Sequence, residues 1–212
     1  MKRLGVIGGL GPLATVHYYQ KLVEAGAGEM LLVHADTGRA LGHVERGDLD
    51  GLASYLATLV ERLANGGAEV AAVSAVTPHI CIRELQAISA VPLVNVIDEI
   101  ARVIRSRGYQ SIALFGTRFV TTSRLFGMLN QVQVVDFPPD QAEAIHQAYM
   151  QIVRGDPSGR EILIQIARDT RAEAIVLAGT VLSLVFDEES AKFPVVDCVQ
   201  AHIEGIKRAL LA

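Results

Sequence analysis

The sequence predicts an α/β protein built as two similar halves. Each half is a doubly wound, four-stranded parallel sheet, and the two are expected to be related by a pseudo-twofold axis with an interdomain cleft between them. Three observations lead there. Short continuous apolar runs of strand length alternate with amphipathic stretches along all 212 residues, the pattern of right-handed βαβ units. Segments of the first half recur in order in the second. Half of the residues are hydrophobic and only 20% are charged, enough to fill a sizeable core and too apolar for disorder.

In the first half, residues 3–7, 30–35, 70–74 and 92–97 read as buried strands, each a short apolar run bounded by small or polar residues. Residues 12–25 read as a helix opened by Pro12, where a missing N–H costs nothing. Residues 48–64 carry apolar side chains at 49, 52, 53, 56, 59, 60 and 63, a helical stripe, with Asp48 as its N-cap. Residues 99–105 form a third helix. In the second half, residues 111–115, 132–135, 174–177 and 195–197 read as strands and residues 139–153, 160–168 and 199–211 as helices.

Residues 68–75 parallel residues 172–179 at an offset of 104, residues 3–9 parallel 111–117 at 108, and Pro92-Leu93-Val94 parallels Pro194-Val195-Val196 at 102. The expected halves are residues 1–98 and 99–198, with the helix over 199–212 packing back on the first.

Composition narrows the function. A net charge of −4 and a pI near 5.9 give no attraction for nucleic acid or anionic lipid. The chain lacks Trp and is poor in aromatic side chains, which argues against a base-stacking platform. No apolar run approaches the roughly 18 residues of a membrane span. Lys2 and Arg3 before an apolar run imitate a signal peptide, but the glycines, Pro12 and the polar stretch at Tyr18–Lys21 favour a buried first strand. Two cysteines, Cys81 and Cys198, make neither a disulfide framework nor a zinc site, so a cytoplasmic protein is expected.

Ligands of open α/β sheets bind at the carboxyl ends of the strands. After the first strand, residues 9–14 spell G-x-G-x-x-A and Asp36 ends the second strand, a dinucleotide-binding pattern that admits an NAD(P)-dependent oxidoreductase. Against it, Pro12 removes an N–H from the turn. Residues 37–47 show no strong period and read as a functional loop carrying Arg39, His43 and Arg46. Residues 116–123 are rich in hydroxyls at a helix start, which suits either an anion site or ordinary N-capping.

The opening MKRLGVIGGLGPLAT, Gly66-Gly67-Ala68-Glu69 before a strand, Thr77-Pro78-His79, Phe115-Gly116-Thr117-Arg118-Phe119 with Thr121, Pro139-Asp140-Gln141, Arg154-Gly155 and Ala178-Gly179-Thr180 together resemble the aspartate/glutamate racemase family, in order over nearly the whole chain. The resemblance implies a cytoplasmic, homodimeric isomerase of amino acids that needs neither pyridoxal phosphate nor metal. It implies two cysteines, one per half, that flank the substrate α-carbon and pass a proton across it.

At those two positions this sequence has Ala75 and Gly179, followed by Val76 and, two residues beyond Gly179, Val181. A methyl group and a hydrogen transfer no protons, so racemisation by two thiols is excluded there. Cys81 lies six residues beyond Ala75, about 9 Å away if the chain is helical, and Cys198 follows the last strand. The binding residues implied by the resemblance are Gly9, Arg39, Arg46, Thr77, Thr117, Thr121, Arg154 and Thr180, with His79 the candidate acid-base group. The expectation is a cofactor-independent enzyme acting on a small amino or dicarboxylic acid. The alternatives are a non-catalytic binder of such acids and the nucleotide-dependent oxidoreductase.

Overall fold

The computed structural model describes residues 1–186 and 188–212. The first part of the chain runs β1 (Leu4–Gly8), α1 (Pro12–Glu24), β2 (Met30–His34), α2 (Thr37–Glu45), α3 (Leu49–Asn65), β3 (Val70–Val73), a 3₁₀ turn (Thr77–Cys81), α4 (Ile82–Ile88), β4 (Leu93–Val94) and α5 (Val96–Arg107). The rest runs β5 (Ser111–Phe115), α6 (Arg118–Thr122), β6 (Gln133–Val134), α7 (Pro139–Val153), α8 (Gly159–Asp169), β7 (Ala174–Leu177), a 3₁₀ turn (Leu182–Leu184), α9 (Glu188–Ala191), β8 (Val195–Asp197) and α10 (Cys198–Leu211). Residues 1–96 with 202–212 make one compact unit, and residues 97–201 make the other. Each unit contains one all-parallel four-stranded sheet, ordered β2-β1-β3-β4 in the first and β6-β5-β7-β8 in the second.

The repeat seen in the sequence is reproduced by the strand registers. Leu4 pairs with Val70 as Ile112 pairs with Ala174, and Ala71 pairs with Leu93 as Ile175 pairs with Val195. The offsets are again 108, 104 and 102. The paired Ala-Glu dipeptides have a physical reason. In the first unit the Glu69 carboxylate accepts the Arg3 N–H at 2.9 Å, and the Glu69 N–H donates to the Arg3 carbonyl at 2.9 Å. In the second, Glu173 does the same for Ser111, both contacts at 3.2 Å. Each Glu therefore ties the entry of the central strand to its neighbour.

The core of the first unit follows the predicted stripe. Leu52, Leu56, Leu59, Val60 and Leu63 of α3 pack against Ile7, Ala71 and Val73 of the sheet, and each such burial contributes about 1.5–3 kcal/mol. Asp48 caps α3 by accepting the Gly51 N–H at 2.9 Å.

Three sequence expectations change. Residues 37–47 are not a loop. They hold α2, capped by the Asp36 carboxylate on the Arg39 N–H at 2.8 Å. Its only buried residue is Ala40, so no apolar period marks it. The second strand is not buried on both faces: β2 is a sheet edge, and Leu32 is 52% exposed. The fourth strand shrinks to Leu93–Val94 because α5 already starts at Val96. Among the described residues, no helix is long and apolar enough to cross a membrane.

Candidate functional site

In the first unit, the turn after β1 is closed by its own chain. Gly9 sits at φ +89, where a Cβ would stand 2.6 Å from the Ala35 carbonyl oxygen. Its N–H donates to the Thr15 hydroxyl at 2.9 Å, and its carbonyl accepts from the Thr37 hydroxyl at 2.7 Å. The N–H that would cradle a pyrophosphate is thus consumed, and Asp36, the expected ribose ligand, is spent on capping α2. The oxidoreductase reading is corrected on this ground.

The Arg39 guanidinium lies over the Tyr55 ring, 4.4 Å from its centroid. Arg46 is at the far end of α2, exposed, with its guanidinium 3.5 Å from the His43 ring. Helix α2 therefore holds the two arginines at opposite ends.

After β3, the Ala75 carbonyl accepts the His79 Nδ1–H at 2.8 Å. That fixes the tautomer, and Nε2 accepts the Val96 N–H at 3.5 Å. His79 is 1% exposed and meets His202 edge-on with centroids 5.9 Å apart. The His202 Nε2–H donates to the Val94 carbonyl at 3.0 Å, and its Nδ1 accepts the Tyr18 hydroxyl at 3.0 Å. Desolvation pushes His79 down to about 4, and desolvation together with His79 pushes His202 down to about 3. The acid-base reading of His79 gives way to a structural one: both ring nitrogens are engaged, and burial keeps the ring neutral. Thr77 is half-buried at the start of the 3₁₀ turn. Cys81 donates to the Pro78 carbonyl at 3.3 Å, and burial raises its thiol to about 12.

In the second unit, Thr117 caps α6 by accepting the Val120 N–H at 3.3 Å. The Thr121 hydroxyl lies 3.2 Å from the Thr117 carbonyl and 3.0 Å from the Arg118 carbonyl, a donor spent inside the helix. Thr180 is buried after β7, and Arg154 is exposed at the end of α7. Asp197 caps α10: one carboxylate oxygen accepts the Val199 N–H and the Ser183 hydroxyl, both at 2.7 Å. Cys198, fully buried beside it, is raised well above the usual thiol range by desolvation and then by Asp197.

Ala75 and Gly179 occupy equivalent places. The Ser74 N–H donates to Ile7 at 3.0 Å and the Ala178 N–H donates to Phe115 at 2.7 Å, so each is the next residue after the ladder ends. A Cβ on Gly179 would overlap Cε2 of Tyr149 and stand 3.2 Å from its hydroxyl oxygen. Burial, with Cys198 nearby, raises the Tyr149 phenol to about 12, so it is a neutral donor. One turn earlier on α7, His146 accepts the Arg118 N–H on Nδ1 at 3.3 Å, which leaves the ring proton on Nε2.

Sequence reading did not single out Tyr149 or His146. Their spacing of three within the predicted 139–153 helix places them on one face, and that was the available signal.

Residues 7–206 match the family described as Asp/Glu/Hydantoin racemase. Among solved structures, an aspartate racemase homologue from Pyrococcus horikoshii OT3 has a TM-score of 0.87 at 24% identity, covering 100% of both chains. A putative Asp/Glu racemase from Yersinia pestis has a TM-score of 0.86 at 23% identity, also over 100% of both chains. The aspartate racemase of Picrophilus torridus has a TM-score of 0.79 at 20% identity, covering 99% of this chain and 94% of that one. At these identities the likeness establishes the shared two-sheet fold.

Proposed function

The chain is a member of the Asp/Glu/Hydantoin racemase family, and on that footing we propose that it binds a small amino or dicarboxylic acid at the strand ends of its second unit without racemising it through thiols. The observation that carries this is Tyr149 standing where a side chain on Gly179 would project. A neutral phenol hydrogen-bonds a carboxylate but is a poor base near neutral pH. The equivalent residue of the first unit, Ala75, brings no proton-transfer group either, and both cysteines of the chain are buried with raised thiols. Tyr149 and Thr180 are the donors proposed to face the ligand.

The test is calorimetry and thermal shift with the D and L forms of aspartate and glutamate, and with malonate and malate, alongside α-proton exchange in D₂O. A ligand at about 100 times its Kd adds roughly 2.7 kcal/mol of stability. Binding without exchange is expected. No shift with any acid overturns the reading, and exchange above background overturns its non-racemising part.

A second reading keeps the enzyme, as a cofactor-independent catalyst of proton transfer or decarboxylation. It is favoured by His146, whose Nε2–H is one helical turn from Tyr149 on α7. It requires turnover in the same panel that His146→Gln removes.

A further inference from the structure

A cavity of about 490 Å³ opens on the second unit among α6, β6 and α7, and Tyr149, Gly179 and Thr180 are not among its lining residues. Its size is that of a small-molecule site. Its floor is apolar, from the buried Leu114 and Ile145 and the half-buried Ala142, with Phe137 beside them. Two exposed groups of opposite charge also line it, Arg124 and Asp136.

These two hold each other through Arg124 Nε to Asp136 Oδ1 at 3.2 Å and through a second contact between Nη2 and Oδ2. A guanidinium has five N–H donors and a carboxylate about four acceptor sites, so each keeps capacity for a further partner. The hydroxyls of Thr121 and Thr122 also line the cavity, but their protons go to carbonyls of α6, Thr122 to Arg118 at 2.8 Å. What they offer a ligand is lone pairs.

The backbone at Arg124 is unusual. Arg124, Leu125 and Phe126 have φ of 50, 51 and 61 and lead into Gly127 at 66, a left-handed turn made mostly of residues that disfavour it. It is held by the buried Leu125, by the Leu125 N–H on the Val120 carbonyl at 3.0 Å, and by the Phe126 ring against Phe119. Strain of this kind persists where surrounding packing enforces it, and it clusters at ligand sites. Here it sets the guanidinium opposite Asp136.

We propose that this cavity is a binding site for an α-amino acid with an uncharged apolar side chain, of leucine to phenylalanine size. The side chain occupies the apolar floor. The α-carboxylate takes free N–H groups of Arg124, and the ammonium takes the free oxygen lone pairs of Asp136 and the threonine hydroxyls. The site is independent of the acid-binding function proposed above.

Calorimetry with L-leucine and L-phenylalanine tests it, with 4-methylpentanoate and isopentylamine as analogues that each lack one charge. Saturable binding of at least one amino acid is expected, with each analogue weaker by about tenfold or more. Ala142→Trp, which fills the floor, abolishes that binding while leaving any dicarboxylate response of the wild type unchanged. Arg124→Gly relieves the left-handed backbone, so it keeps or raises Tm while weakening the amino acid by about tenfold or more. Absence of heat with both amino acids overturns the proposal, as does wild-type affinity in folded Arg124→Gly.

Discussion

The hydroxyl oxygen of Tyr149 lies 3.2 Å from the point where a Cβ on Gly179 would stand, and its ring carbon Cε2 overlaps that point. Glycine at 179 and tyrosine at 149 are therefore one structural choice made at two positions. Gly179→Ala forces the ring to move and destabilises the protein by about 1–3 kcal/mol. Tyr149→Ala in the same chain removes the clash, so the double variant loses less than the two single losses added together. Urea denaturation of the four proteins measures the coupling, and strict additivity would contradict it.

Tyr149→Phe retains the packing and removes the one donor this ring offers a ligand. For whichever acid the wild type binds, the expected loss is about 0.5–1.5 kcal/mol, more if the ligand's carboxylate is charged. Calorimetry reads it as a weaker Kd with an unchanged Tm of the free protein. An unchanged Kd removes Tyr149 from the site.

The His79–His202 pair gives stability a distinct dependence on pH. Both rings are neutral when folded, with pKa values lowered from 6.5 to about 4 and about 3. Between those values and 6.5 the unfolded chain binds more protons than the folded one, so stability falls as pH falls. The loss starts near 6.5 and runs down through about 4 and then about 3. Each unit of separation is worth about 1.4 kcal/mol per ring. Above pH 7 these rings contribute no pH dependence. Asp48 and Asp156 are lowered from 3.8 and Glu143 from 4.5, so their losses begin only at lower pH. Stability that stays flat from pH 7 to 5 would contradict the burial of the two rings.

Thr15→Val strips the Gly9 N–H of its acceptor, and the Gly11 carbonyl loses the Thr15 hydroxyl at 3.0 Å. A loss of about 1–3 kcal/mol is expected, with the elements on either side unchanged by circular dichroism. Full stability in this variant would show that water replaces the hydroxyl in the turn.

Cys81 and Cys198 are both fully buried, and their raised pKa values leave almost no thiolate near neutral pH. Neither should react with a thiol reagent in the native protein within minutes, and both should react in denaturant. Rapid native labelling of either would reopen a chemical role for it.

Much of the fold could be read from the chain because its signals are local and repeated. The stripe of α3 and the paired Ala-Glu dipeptides state their burial and hydrogen bonding directly. Helix α2 could not be read because a helix that buries only Ala40 leaves no period. The replacements at 75 and 179 were visible as letters. Their meaning was not, because the ring that fills the space at 179 comes from 30 residues earlier. His79 was legible as a titratable group beside a strand end, but its engagement by Ala75, Val96 and His202 is tertiary.

Helix α10 returns the end of the chain to the first unit: His202 is wholly buried there, and the Lys2 N–H donates to the Leu210 carbonyl at 2.9 Å. The amino-terminal unit is therefore discontinuous in sequence: its last piece is made only after residues 97–201, which supply the second sheet in one continuous run. Vectorial synthesis usually completes the first-made domain first; here the unit begun first is completed last.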